Sequence, residues 1–292
     1  MQTMKRNDID NGMLTYSLGE DVTAFTTDRT VGRDADKIKE IIGAKRNVPA
    51  DALRFTRPHQ THGDRIMPVA EEFFSLPDST RKMLMEGVDA VMTNVPDIII
   101  GVSTADCIPV LVYDPEHHAA AAIHAGWRGT VQRIVLKTMQ QMVQMYHTNP
   151  AMCKAAIGPG ISLDSFEVGD EVYNDFVEAQ FPMDTVAKQY HVMTTNGQQP
   201  TTTQPDNQTT KPLNNQTTKQ LNNQTTKQLK WHLDLKEINR QLLLATGIPA
   251  ESITVSDIDT LTDTRFFSAR REQKGDVKCG RIFSGSVFLS NR

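Results

Sequence analysis

Three side chains suited to one metal ion stand in three separate segments: His62 in RPHQTHGDRI, Cys107 in GVSTADCIPVLVYD and His124 in AAAAIHAGWRGT. Two imidazoles and a thiolate make a His₂Cys set. Three protein ligands leave the fourth position of a tetrahedral ion open to water or substrate, which is the pattern of a catalytic rather than a structural zinc. Taken singly, a His or Cys at the end of an apolar strand is more often part of the core. Their shared context carries the argument: Cys107 follows IIIGVST, His124 ends AAAAI, and both adjoin small or turn-forming residues. Strand ends at a sheet edge are where α/β proteins place their chemistry.

Polar residues beside these three suit a small polar substrate. Gln60 and His62 are two apart in HQTH, so on an extended segment both side chains point to one face and can hold substrate and metal together. Asp106 precedes Cys107 and reads either as a carboxylate that orients a ligand imidazole or accepts a proton, or as a turn aspartate. Arg128 in HAGWRG stands before a long helical stretch, where a guanidinium and free backbone N–H groups suit an anion; the alternative is a surface arginine. FFSARRE at 266–272 sets Arg270 and Arg271 behind two aromatics, a pattern that can stack a base and hold a phosphate, or else put a ring in the core and the arginines in salt bridges. AIGPGIS at 156–162 offers a tight turn but lacks the spacing of a P-loop or a dinucleotide fingerprint, so an ATP or NAD enzyme is not supported.

The elements that must position these groups read as α/β. Apolar runs at 98–103, 109–113, 119–124, 154–157, 253–256 and 281–289 are expected strands, most of them apolar enough for burial on both faces. Residues 130–146 place Val131, Ile134, Val135, Thr138, Met142 and Met145 at helical spacing, with the methionines as core filler. Helices are also expected at 235–246, stopping at Gly247, and at 170–179. A single catalytic domain is expected over residues 1–193 and 231–292, interrupted at 194–230 by a low-complexity insertion. There, eight-residue copies NQTTKPLN, NQTTKQLN and NQTTKQLK begin at Asn207, Asn215 and Asn223. One Leu per copy builds no core, and a solenoid unit needs about 20 residues or more, so the segment is expected to be disordered.

Composition narrows the function classes. With 292 residues and 38% hydrophobic content the chain can bury a full core. A net charge of −4 without a basic face argues against nucleic-acid binding. Cys107, Cys153 and Cys279 are an odd number, and no charged-then-apolar leader precedes MQTMKRNDIDNGM, so a reduced cytoplasm is expected and the Asn-Gln-Thr glycosylation matches have no consequence. No apolar run approaches the roughly 18 residues of a membrane-spanning helix. The expected partners are small molecules, in a monomer or a small homo-oligomer.

In their order along the chain, HQTHGDRI, VDAVMTN, TADCIPVLVYD, IHAGWRGT, IGPGIS with FEVGDEV, WHLDLKEINRQLL followed by Gly247, and FFSARRE with Gly280-Arg281 resemble the YfiH or laccase-domain family. That family was once described as multicopper polyphenol oxidases and is now mostly read as purine nucleoside phosphorylases. The resemblance covers nearly the whole chain apart from the insertion. It implies that His62, Cys107 and His124 are zinc or copper ligands, and that the fold is a mixed-sheet α/β sandwich with helices outside. Two departures stand out: Asp259-Thr260 replaces a frequent Cys-Thr pair ahead of the FFS motif, and AFTTDRTVG at 24–32 replaces an Asn-Leu-Ser segment.

The residues discriminate among the activities attached to the family. A multicopper oxidase needs roughly ten His and Cys ligands in close pairs, whereas this chain has eight histidines and no His-x-His pair. Phosphorolysis of adenosine, inosine or methylthioadenosine needs phosphate held against the anomeric carbon as the base leaves, with Gln60, Arg128, Arg270 and Arg271 as the expected substrate-binding residues. An ion at the His₂Cys set also suits attack of water on the purine ring, hence adenosine deamination as a side activity. The remaining enzyme reading is a cysteine amidase editing peptidoglycan precursors, with Cys107 as nucleophile, His124 or His62 as base and Asp106 as the third member. A binding module without catalysis has no need of a reactive Cys beside two His.

Overall fold

The computed structural model describes residues 2–4, 9–194, 201–202, 226–275 and 280–290. The chain forms two compact units, one of Met1–Ser162 with Leu235–Arg292 and one of Leu163–Asp234.

The larger unit contains two mixed sheets. The seven-stranded sheet runs in the order Gln2–Met4, Ile253–Ser256, Lys154–Ile157, Ile108–Asp114, Ala119–Ala125, Val88–Thr93, Arg65–Pro68, with antiparallel pairing in the middle and parallel pairs toward both edges. The six-stranded sheet runs Ile9–Asp10, Met13–Tyr16, Val22–Thr27, Ile282–Phe288, Ile98–Thr104, Arg54–Phe55. The two pack face to face through alternate residues. Ile98, Ile100 and Val102 of one sheet share a core with Val91, Leu111, Tyr113, Ala120 and Ala122 of the other. The odd-phase residues Ile99, Phe283 and Val287 turn the other way, onto Ile38 and Ile42 of the helix Ala35–Arg46. Asp34 caps that helix by accepting from the N–H groups of Asp36 and Lys37. The helices Ile134–Tyr146 and Leu235–Ala245 pack on the seven-stranded sheet. The expected α/β class, mixed sheets with helices outside, is what the chain adopts.

The helix expected over 130–146 is instead two, Trp127–Val131 and Ile134–Tyr146, with Arg133 between them in the left-handed region at φ 60°. The first piece comes so close to the loop of His62 that a Cβ on Gly129 would lie 2.8 Å from the carbonyl oxygen of Gly63. The second lays Ile134, Val135, Met139 and Met142 into the core. The turn at Arg133 lets one segment do both.

The smaller unit has a four-stranded antiparallel sheet in the order Glu167–Val168, Thr226–Leu233, Ala187–Thr194, Thr201–Thr202, with helices Asp170–Glu178 and Met183–Val186. Phe176 and Phe181 meet edge to face with centroids 5.2 Å apart, and Tyr173 stacks on Trp231 at 3.9 Å. Most of the low-complexity stretch at 194–230 lies outside the described residues. Its last repeat does not end the break where the composition suggests, because Thr226 pairs with Thr194 and the strand begins there rather than at Trp231. A β-ladder is made by the backbone, so polar composition does not forbid it. Deleting residues 203–225 is expected to leave the melting temperature unchanged, since a polar repeat with one Leu per copy adds little to a core. Extending the deletion through Gln228 should lower it, as followed by scanning calorimetry.

Candidate metal centre

Neighbouring strands of the seven-stranded sheet bring the three expected ligands to one end. His124 lies near the end of Ala119–Ala125, and Cys107 immediately precedes Ile108, which stands opposite Ala125 in the ladder. His62 lies in the loop before Arg65–Pro68, which pairs with Val88–Thr93. Their ligating atoms all fall within 4.8 Å of one another, and the two imidazole rings meet edge to face at 4.9 Å. His124 is buried, Cys107 partly exposed and His62 exposed.

The residue that organises this cluster is Asp89, which residue type and spacing do not single out. Its side chain is fully buried, one step along the ladder from the Ile123–Ala90 pair and so across from His124. Its carboxylate accepts from the Nδ1 side of His124 at 2.7 Å and from the backbone N–H groups of Thr61, His62 and Gly63 at 3.2, 3.0 and 2.9 Å. One side chain therefore fixes the tautomer of one ligand and the loop that carries another. The loop bends sharply: His62 has φ 65°, and on the other side of the site Asp106 has φ 81°. Left-handed non-glycine residues are uncommon and gather at functional sites.

Burial works against the Cys107 thiolate, but the charge of His124 and hydrogen bonds with His124 and His62 outweigh it and lower the thiol to about 6. Burial also disfavours a charged His124, yet the Cys107 thiolate and the Asp89 carboxylate raise it to about 9. Asp89 stays below the usual carboxylate range despite its burial, because His124 and the N–H groups of Gly63 and Thr61 favour its charge. The buried thiol of Cys153, by contrast, is pushed up to about 12 by desolvation and by Asp114. A thiolate, an imidazole held by its far nitrogen and a second imidazole fit a soft-to-borderline ion such as zinc or copper. Gly126 leaves the room: a Cβ there would sit 3.1 Å from the ring of His62 and 3.2 Å from the Cys107 sulfur.

The other expected site residues divide. The carboxylate of Asp106 accepts from Thr260 Oγ1 at 2.7 Å, Ser268 Oγ at 3.0 Å and the Arg270 N–H at 2.7 Å, the bonding expected of the turn aspartate that was one of its two readings. The left-handed backbone at Asp106 turns it toward the C-terminal segment. Gln60 uses both ends of its amide on the backbone of Ser103, at 2.8 Å each way, and pins the loop to the strand Ile98–Thr104. The guanidinium of Arg271 donates to the carbonyls of Thr260 and Leu261 and braces the same segment. Arg128 is exposed and lies over the Trp127 ring at 4.2 Å. Phe266 fills the core, as one of the two readings of FFSARRE expected.

A sequence model of the family described as "Multi-copper polyphenol oxidoreductase laccase" matches residues 25–200 and 199–288. The chain belongs to this family. Among its relatives, a "Purine nucleoside phosphorylase" of Bacteroides thetaiotaomicron is 37% identical over 79% of this chain and 72% of its own length. "Adenosine deaminase RL5", from an unknown prokaryotic organism, is 34% identical over 78% and 72%. The crystal structure of YlmD from Geobacillus stearothermophilus matches with a TM-score of 0.69 at 22% identity, over 97% of this chain and 98% of that one, and shows the same fold. Among the described residues, one group of His, Cys and acidic side chains gathers three ligand atoms.

Two outcomes are expected from this geometry. Asp89→Asn should weaken zinc binding about 10- to 100-fold while the protein remains folded, as measured by competition with a chromophoric chelator. In protein stripped of metal, alkylation of Cys107 followed by peptide mass spectrometry should rise through a midpoint near pH 6, because the thiolate is the nucleophile and is present above its pKa. His124→Ala should move that midpoint upward.

Proposed function

We propose that the protein is a purine nucleoside phosphorylase. It takes adenosine, inosine or methylthioadenosine with phosphate to the free base and the pentose 1-phosphate, and it deaminates adenosine as a side activity. The observation that supports this reading most is the small three-ligand cluster held by Asp89, with its ligands graded from buried to exposed. Such a cluster suits one ion open to a small substrate, and it falls well short of the ligand set of a multicopper oxidase. The two relatives named for phosphorolysis and deamination add to it.

His62, Cys107 and His124 are the residues that would hold the ion, zinc in preference to copper. When bound, it supplies Lewis-acid polarisation and acidifies a water. The chain's own contribution is positioning. Asp89 keeps His124 in the tautomer that presents its far nitrogen to the cluster, and Gln60 fixes the loop of His62 to the sheet. In phosphorolysis the C1′–N9 bond breaks and a C1′–O bond to phosphate forms, through a transition state with oxocarbenium character. Arg128, exposed beside the cluster-bearing strand, and Arg270, whose backbone rests on Asp106, are the proposed phosphate contacts. Arg271 serves as a brace instead. The proposed setting is the cytoplasm, and no helix among the described residues is long and apolar enough to cross a membrane.

One observation favours a second reading. Cys107, His124 and Asp89 line up as thiolate, imidazolium and carboxylate, the order of a cysteine hydrolase triad. A chromatographic assay separates the two. With adenosine, adenine and ribose 1-phosphate should appear only when phosphate is supplied, and inosine should form without it. His62→Ala, Cys107→Ala and His124→Ala should each lose metal and both activities. Cleavage of a UDP-muramoyl-amino-acid alone, at a rate that survives a chelator, would make Cys107 a nucleophile and overturn the proposal. A phenolic dye run in parallel tests the oxidase.

A further inference from the structure

A second concentration of charge lies on the larger unit, in an open cleft of about 440 Å³ whose walls include none of the three metal-site residues. The volume is within the range of small-molecule sites, about 300–1,000 Å³. Arg33, Arg57, Arg81 and Lys82 line it together with the apolar surfaces of Phe55 and Met85. The carboxylates in its wall are already engaged, Asp78 with Lys82 at 2.8 Å and Glu86 with His59 at 2.8 Å.

Two of the three arginines are not matched by carboxylates in this way. Among the described residues neither Arg33 nor Arg57 forms an ion pair, and Arg57 spends one N–H on the carbonyl of Arg33 at 2.8 Å. Burial, and then the neighbouring charge of Arg33, lower the Arg57 pKa from its ordinary value, as two crowded cations require. Arg81 reaches Asp78 only at 3.5 Å, and its buried Nε–H finds no acceptor among the described residues. A buried donor left unmade is costly, so an acceptor brought into the cleft would be favoured there. Guanidinium groups take phosphate oxygens two at a time, and the apolar wall beside them offers a place for a ring.

We propose that this cleft binds a small phosphate monoester carrying a flat ring, with nucleoside monophosphates as the fitting class, at a site separate from the His62, Cys107 and His124 cluster. The phosphate sits among Arg33, Arg57 and Arg81, and the ring lies toward Phe55 and Met85. The inference stands apart from the phosphorylase reading, because none of these residues belongs to the metal centre.

Calorimetric titration of the metal-loaded full chain with AMP tests it. Saturable binding is expected, tighter than for inorganic phosphate, weakening as salt is raised. Arg57→Gln and Arg81→Gln should each raise the Kd at least about 10-fold, as loss of one charge-assisted contact does. Arg81 lies on the short surface helix Asp78–Leu84 and its side chain is one-third exposed, so Arg81→Gln keeps the test valid if Arg57→Gln fails to fold. His62→Ala should bind AMP as the unaltered protein does. Unchanged affinity in both arginine variants overturns the site, and loss of binding in His62→Ala moves the ligand to the metal centre. Inorganic phosphate binding as tightly as AMP removes the ring from the assigned class.

Discussion

The candidate site depends on one buried carboxylate. Asp89 sits in a strand whose every residue is buried, where an unpaired charge would be costly to keep. It is tolerated because four donors converge on it: three successive backbone N–H groups and one imidazole. The pairing works in both directions. The loop gains an anchor that lets His62 hold its left-handed backbone, and His124 gains a fixed orientation inside the core. Two ligands from segments far apart in the chain are thereby held by a single group that need not touch the ion.

Cys107 is secured differently, from the C-terminal segment. Asp106, next to it, accepts from Thr260, Ser268 and the Arg270 N–H, while its carbonyl accepts from the N–H of Ile161 at 2.8 Å. Asp259 accepts from the N–H groups of Ser162 and Leu261 at 3.2 and 3.1 Å. The turn after AIGPGIS and the segment before FFSARRE are thus tied to each other and to the backbone beside the thiol. A carboxylate at Asp259 can satisfy both of these turn donors, which a thiol would serve poorly.

Much of this was legible in the sequence because residue type and strand ends coincide. The three ligand segments, six of the strands and the two later helices follow from apolar runs and turn residues, and the structure places them within a residue or two. Asp89 was not legible as a site residue, since in VDAVMT one aspartate reads as part of the strand. The available signal was physical: a charge in a strand buried on both faces requires partners. Asp106 had two readings for the converse reason. Adjacency to Cys107 along the chain suggested shared chemistry, whereas the left-handed turn at Asp106 sends the two side chains to different neighbours. Arg271 and Gln60 look like ligand-binding groups by type, but backbone carbonyls and amides elsewhere in the fold claim them. Pairing of that kind is set by tertiary approach and leaves no mark on local composition.

The exposure of the three ligands falls off in one direction, from His62 at the surface through Cys107 to His124 at 3%. That gradient gives the centre a doorway and a back wall. The outermost of the three side chains is carried by a loop, while the innermost lies in the sheet and is held by Asp89. A change in the loop of His62 therefore alters the open side of the group and leaves the His124 and Asp89 side as it was.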